Sequence, residues 1–323
     1  MILLNSTQSC DIYLYSSLQS PAEEMAFEEY LFNTDAHLFQ QDTKPPWRFY
    51  LIHKKKNRII AKVSLFLENK VAISPSRATF GGIMCASDIP PLELINFIKT
   101  VGMYLEKQGI EEITFKMYPE IYDTDVSALI EYTLLQAGYT IQTTDLNYHL
   151  LINEQAFDQK IHPSKKRILK KCQNQGFSFQ KMENPNLIQI HEFIYQARLR
   201  RGHPMSLQQI DFIRLVQKFP DDFIFFQVQS SSKEIASMGV VIRINSQILY
   251  HFYPADSDAY LAQSPTVMLN EGIYRFAQTQ GYQLLDLGIA TNQGKLNEGL
   301  ARFKVELGAE KSLKLTFFKK PSL

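Results

Sequence analysis

Two side chains in one aromatic strand set the first chemical question. In Gln247–Tyr253 the alternation of a strand puts Leu249, His251 and Tyr253 on one face, with Tyr250 and Phe252 on the other. An imidazole with an ordinary pKa near 6.5 can take a proton from an attacking amine at neutral pH, and a phenol can return one to a leaving group. The plain alternative is that both are packed, satisfied residues of a core or cleft. Asp286 stands at the end of an apolar run, Tyr282–Leu287, just before Gly288. A carboxylate there is costly unless hydrogen-bonded. It orients an acceptor, acts as a base, or bonds a nearby main-chain amide.

Cations cluster in two places. Lys165, Lys166, Arg167, Lys170 and Lys171 are five cations within seven residues, and on a helix Lys166 pairs in face with Lys170, Arg167 with Lys171. Arg198, Arg200, Arg201 and His203 gather at the end of the helix expected over Leu187–Arg200, where positive charge also suits the helix dipole. Together they fit a phosphate-rich donor, whether tRNA, CoA or a nucleotide-linked precursor, or else form a solvated basic face. Aromatics are not interleaved with them, which argues against stacking on single-stranded bases. In the first half, Arg77 beside "ATFGGI" is the best anion contact. No Ser-His-Asp order, Cys-His pair or metal-ligand cluster supports a covalent or metal route, so no metal is expected.

Bulk properties exclude several classes. The 323 residues suffice for two domains with their own cores, and 45% hydrophobic with 21% charged residues is an ordinary globular composition. A net charge of +1 exerts no global pull on nucleic acid or membrane. Cys10, Cys85 and Cys172 are scattered and odd in number, which fits neither a disulfide framework nor a zinc site. The first residues have no basic region of a signal peptide, and no apolar run approaches the ~20 residues of a membrane span. A reducing cytoplasm is the expected compartment.

The elements that must position these groups follow from pattern. Residues 21–34, opening with Pro21 and acids, read as a helix. Strands are expected at Trp47–His53, Arg58–Leu67, Val71–Ser74 and Ile113–Met117, helices at Pro90–Gln108 and Val126–Ala137, each stopped by glycine, and a strand-rich end at Tyr139–Ile152. A basic helix in the linker Asn153–Gln175 precedes a second series. Its strands are Phe177–Met182, Phe223–Gln229, Ile235–Ile244, Gln247–Tyr253, Tyr282–Leu287 and Ser312–Phe318. Its helices are Leu187–Arg200, Leu207–Phe219, Thr266–Gln280 and Leu300–Leu307. The series from Gly176 to Lys319 reads β-α-α-β-β-β-α-β-α-β, and a shorter version runs from Asp11 to Ile152. That sets two domains, residues 1–152 and 153–323.

This order resembles the GNAT acyltransferase fold, present twice. The strings "SKKRILKKCQNQGF", "LYHFYPADSDAYLAQSPTVMLNEGIYRFAQTQGY", "LLDLGIA" and "GLARFKVELGAE" resemble the FemAB-type transferases and related envelope acetyltransferase-like domains. The resemblance implies an α/β fold of two tandem GNAT domains, each a mixed, mostly antiparallel sheet flanked by helices, with the second as the active half. It implies transfer of an acyl or aminoacyl unit to an amine of an envelope or glycan precursor, by direct attack between splayed fourth and fifth strands. By the same resemblance Lys304, in "RFKVELG", faces the reaction channel and stabilises carbonyl or phosphate charge, although Leu307 stands where the family has an aromatic. Ser264-Pro265 matches the pair that opens the third helix in the envelope-type domains. The glycine-rich phosphate loop of CoA-dependent members is missing at Gln263–Thr266, which leaves the donor open between acyl-CoA and aminoacyl-tRNA. A CoA-dependent N-acetyltransferase and a non-catalytic module for phosphorylated ligands are the competing readings.

Overall fold

The computed structural model describes residues 1–202, 205 and 207–320; His203 of the second basic cluster lies outside them. The chain forms two compact units. One comprises Met1–Leu146, Gln293–Lys295 and the C-terminal residues from Ser312; the other comprises Asn147–Asn292 and Leu296–Lys311. The units therefore depart from a cut at 152/153. Strand pairing, rather than sequence position, decides membership, and each unit takes its closing strand from the other half of the sequence.

The first unit contains strands β1 (Ile2–Ser6), β2 (Cys10–Tyr15), β3 (Glu24–Met25), β4 (Trp47–His53), β5 (Arg58–Glu68), β6 (Val71–Ser74), β7 (Ile83–Cys85) and β8 (Glu112–Lys116). Its helices are α1 (Asp35–Leu38), α2 (Pro91–Lys107) and α3 (Thr124–Gln136), and the strand β9 (Thr140–Leu151) leaves it. The sheet order is β1-β2-β4-β5-β6-β8, and the C-terminal strand β17 (Glu310–Lys319) pairs antiparallel with β8 from Thr316↔Lys116 to Lys319↔Ile113. Helix α2 has Pro91 in its first turn and stops before Gly109, whose φ of 80° suits glycine. Asp123 caps α3 by accepting from Val126 N–H at 3.0 Å.

Residues 21–34 are not a helix. Glu24 and Met25 pair in parallel with Arg58 and Ile59, Ala26 N–H donates to the Ile59 carbonyl at 2.8 Å, and a single 3-10 turn spans Leu31–Asn33. The reason is tertiary: the main chain at Glu24–Ala26 is bonded to β5, and the buried Tyr30, Leu31 and Phe32 follow it. Lys62 is also buried here, and donates to Glu29 at 2.6 Å and Asp35 at 2.8 Å; Arg48 pairs with the same Asp35. Two cations face two carboxylates, so the cluster is internally matched.

The second unit holds α4 (Phe157–Lys160), α5 (Pro163–Asn174), β10 (Ser178–Lys181), α6 (Leu187–Arg200), α7 (Gln209–Lys218), β11 (Phe223–Gln229), β12 (Ile235–Arg243), β13 (Ile248–Asp256) and α8 (Thr266–Gln280). They are followed by β14 (Leu284–Ile289), the short β15 (Thr291–Asn292) and α9 (Glu298–Glu306), while β16 (Lys295–Leu296) has one residue in each unit. The sheet runs β9-β14-β13-β12-β11-β10, antiparallel except between β13 and β14. Val267, Leu269, Ile273, Tyr274 and Ala277 of α8 are fully buried, and Gly281 ends that helix in the left-handed conformation. Gly272 of α8 is required by a close approach: a Cβ there would lie 2.2 Å from the Phe179 ring of β10.

Candidate active site

The parallel ladder between β13 and β14 has three rungs, Ile248↔Leu284, Leu249↔Leu285 and Tyr250↔Asp286, and then stops. Both strands continue, to Asp256 and Ile289. Each is bent by an irregularity just past the last rung. On β13, His251 pairs with Val241 but Tyr253 pairs with Val240, so Phe252 is an extra residue. On β14, Asp286 pairs with His149 and Gly288 with Tyr148, so Leu287 is extra. Bulges of this kind bend a strand and remove backbone groups from the ladder. Gly288 has φ 75°, and a Cβ on it would come within 3.3 Å of the Tyr250 ring. The result is a wedge between the two strands whose apex is the Tyr250/Asp286 rung.

The bulge also breaks the expected alternation, and His251 and Tyr253 do not share an environment. His251 is buried beside α8, with Nδ1 3.2 Å from Asn270 Oδ1. Asn270 Nδ2 donates to the Thr266 carbonyl, so its Oδ1 is the accepting atom and His251 carries its proton on Nδ1. The ring fills the space of a side chain at Gly239, where a Cβ would lie 3.0 Å from Nε2. Burial lowers the His251 pKa to about 4, against the pull of Asn270. Tyr253 instead packs on Phe252, with ring centroids 3.9 Å apart, and lies under the Arg198 guanidinium of α6 at 5.4 Å. Burial raises its phenol pKa, so the hydroxyl keeps its proton.

Asp286 is at the apex and is held by hydrogen bonds. Its Oδ1 accepts from Asn147 Nδ2 at 2.9 Å and from Gly288 N–H at 2.7 Å, which includes the main-chain amide anticipated as one of its partners. Lys304 of α9 is buried and donates to the carbonyls of Gly288 and Ile289, both at 2.8 Å, across the free end of β14. Burial brings its pKa down to about 8, with Asp286 opposing.

No known family profile and no curated protein matches the sequence. Among solved structures, FemX is similar over 90% of this chain and 92% of its own, with a TM-score of 0.68 and 11% identity. A conserved protein from Bacteroides thetaiotaomicron is similar over 93% and 95%, with a TM-score of 0.56 and 12% identity. L-PGS from Bacillus licheniformis is similar over 82% of each chain, at 0.52 and 13%. The chain has the FemX-like tandem GNAT fold.

The N-terminus of α8, like that of other helices, has free amides that suit an anion. Here the place is taken by the protein's own carboxylate. Asp256, at the end of β13, accepts from the Thr266 hydroxyl and main-chain amide, and Arg201 approaches it at 3.7 Å. Burial nonetheless raises the Asp256 pKa. Ser264 shapes the entry to the helix through a left-handed φ of 50°. The basic stretch of this GNAT unit is partly neutralised: Lys165 pairs with Glu306 at 3.2 Å, Lys166 with Asp158 at 2.9 Å, and Arg200 with Asp258 at 2.7 Å. Arg167, Lys170 and Lys171 remain exposed on α5. Arg77 belongs to the other unit and is exposed in the loop after β6.

Sequence reasoning missed Asn147, His149, Asp256, Thr266 and Asn270. Asp256 lay beyond the expected end of its strand at Tyr253. Thr266 and Asn270, one helical turn apart on the buried face of α8, were a visible signal in an otherwise apolar stripe.

Proposed function

We propose that the chain is an acyl- or aminoacyl-transferase acting at the wedge of the second unit, with an amine of an envelope or glycan precursor as acceptor. The wedge carries this reading. It separates two strands of a buried sheet and leaves β13 backbone beyond Tyr250 without a β14 partner. Main-chain amides fixed in such a place are the donors that stabilise the oxyanion of a tetrahedral intermediate. Attack is direct, with donor and acceptor held together, so that orientation supplies much of the rate. The protonated phenol of Tyr253 serves the leaving group. Lys304 and His251 act through position: the first holds the free end of β14, the second ties β13 to α8. Arg198 and Arg201, with Arg167 and Lys170 on α5, supply positive charge for a phosphate-bearing donor. Asp256 at the α8 N-terminus repels a pyrophosphate, which favours aminoacyl-tRNA over acyl-CoA.

The test follows Tm while the purified chain is titrated with CoA, acetyl-CoA, longer acyl-CoAs and aminoacyl-tRNA, at low and high salt. A donor that binds the native state raises Tm in a saturable way. The expected result is a rise with aminoacyl-tRNA and passage of its labelled amino acid to an added amine. A rise with acyl-CoA alone would reverse the choice of donor. No rise with any donor would sink the transferase reading and leave a binding module without turnover.

A further inference from the structure

At the apex of the wedge, one face of the sheet carries a polar row within the second unit. Tyr250, Asp286 and His149 are successive cross-strand partners on β13, β14 and β9, and opposite residues in such a ladder project to the same side. Asn147, two residues before His149, shares that side. Both ring nitrogens of His149 and Oδ1 of Asn147 are buried without a hydrogen-bond partner, although the two residues are only 1% exposed. A native fold rarely leaves three such atoms together, since each orphaned group is costly. The set has a specific complement. Asn147 Oδ1 only accepts, one nitrogen of a neutral His149 accepts, and Asp286 supplies negative charge alongside; together they match the several N–H donors of a primary amine.

We propose that Asn147, His149 and Asp286 form the subsite for the acceptor amine, with His149 as its base; this rests on the transferase reading above. The amine gives a proton to the accepting nitrogen of His149, and its lone pair forms the C–N bond. The acyl C–O or C–S bond breaks, and the departing alcohol or thiol receives a proton in turn. Burial holds His149 toward its neutral form, opposed by the charges of Asp286 and Glu310, and the neighbouring phenol is that of Tyr250. An imidazole so enclosed exchanges protons with a group led in along the wedge rather than with bulk water.

The experiment uses the full chain labelled with 15N in its seven histidines, with the His149 signal assigned by His149→Gln or, if that variant does not fold, His149→Asn. Titration with n-butylamine is expected to shift the His149 ring resonances saturably, while n-butanol does not and the other rings stay still. Independently, His149→Leu is expected to raise Tm, because an apolar group replaces an orphaned polar one. No amine response at His149, or a fall in Tm for His149→Leu, would overturn the subsite. The two readings fail separately. An amine response with no transfer from any donor would remove the transferase reading and keep the site. Transfer at an unchanged rate and pH profile in His149→Gln would do the reverse.

Discussion

A buried imidazole that stays neutral makes the protein acid-sensitive in a predictable window. The His251 pKa falls from its ordinary 6.5 to about 4 in the fold because burial penalises the charged ring. The stabilisation is therefore complete above pH 6.5 and is lost as pH falls toward 4, because the unfolded chain takes up the proton first. Between pH 7 and pH 5 this group alone should remove about 2 kcal/mol of stability. Urea titrations of the wild type and His251→Phe at both pH values check it: the drop should be smaller in the variant. Lys304 makes the opposite kind of statement. Lys304→Met leaves the Gly288 and Ile289 carbonyls without their donor and is expected to cost about 2–4 kcal/mol. Transfer should fall at least tenfold even at temperatures where the variant is fully folded, since the free end of β14 is no longer held. A variant as stable as the wild type would mean that the ammonium is not a strut.

Among the elements, what was readable depended on whether local pattern or tertiary contact decides. Helices α6 and α8 and strand β11 have the ends that periodicity indicates, because each buries a regular apolar face and carries its own stop signals. Residues 21–34 have helix-start chemistry but bond to the edge of β5 instead. The bulge at Phe252 was invisible, since a run of alternating aromatics looks the same with or without an extra residue. That irregularity separates Tyr253 from His251 and, with the one at Leu287, opens the wedge, so the strands of the site were legible and its geometry was not. His149 was hidden for a related reason: its importance comes from a cross-strand partner 137 positions away, Asp286. Close packing at α8 offers a test of element contact. Gly272→Ala drives a methyl into the Phe179 ring and is expected to lower stability by about 1–3 kcal/mol. Adding Phe179→Leu should restore part of the loss in a double-mutant cycle, whereas simple additivity would place the strain elsewhere.

At the scale of the whole chain, the duplicated order was readable but its closure was not. The first unit owns the residues from Ser312, and the second owns β9 from Asn147. Hydrophobic pattern identifies β9 and β17 as strands without saying which sheet each joins. Removing residues 312–323 should accordingly destabilise the first unit, where β17 pairs with β8, more than the second. Limited proteolysis of the truncated chain is expected to cut first within residues 1–146. Preferential cutting within 157–290 would contradict the exchange.

The same exchange sets an order of events as the protein is made. A ribosome releases residues from the N-terminus at roughly 5–20 per second, and the partner of β8 lies far downstream of it, at Thr316–Lys319. The first unit must therefore wait, sheet edge open, until those residues emerge. A stalled or prematurely ended chain exposes that edge, making nascent fragments of this protein natural clients for chaperones that shield unpaired strands.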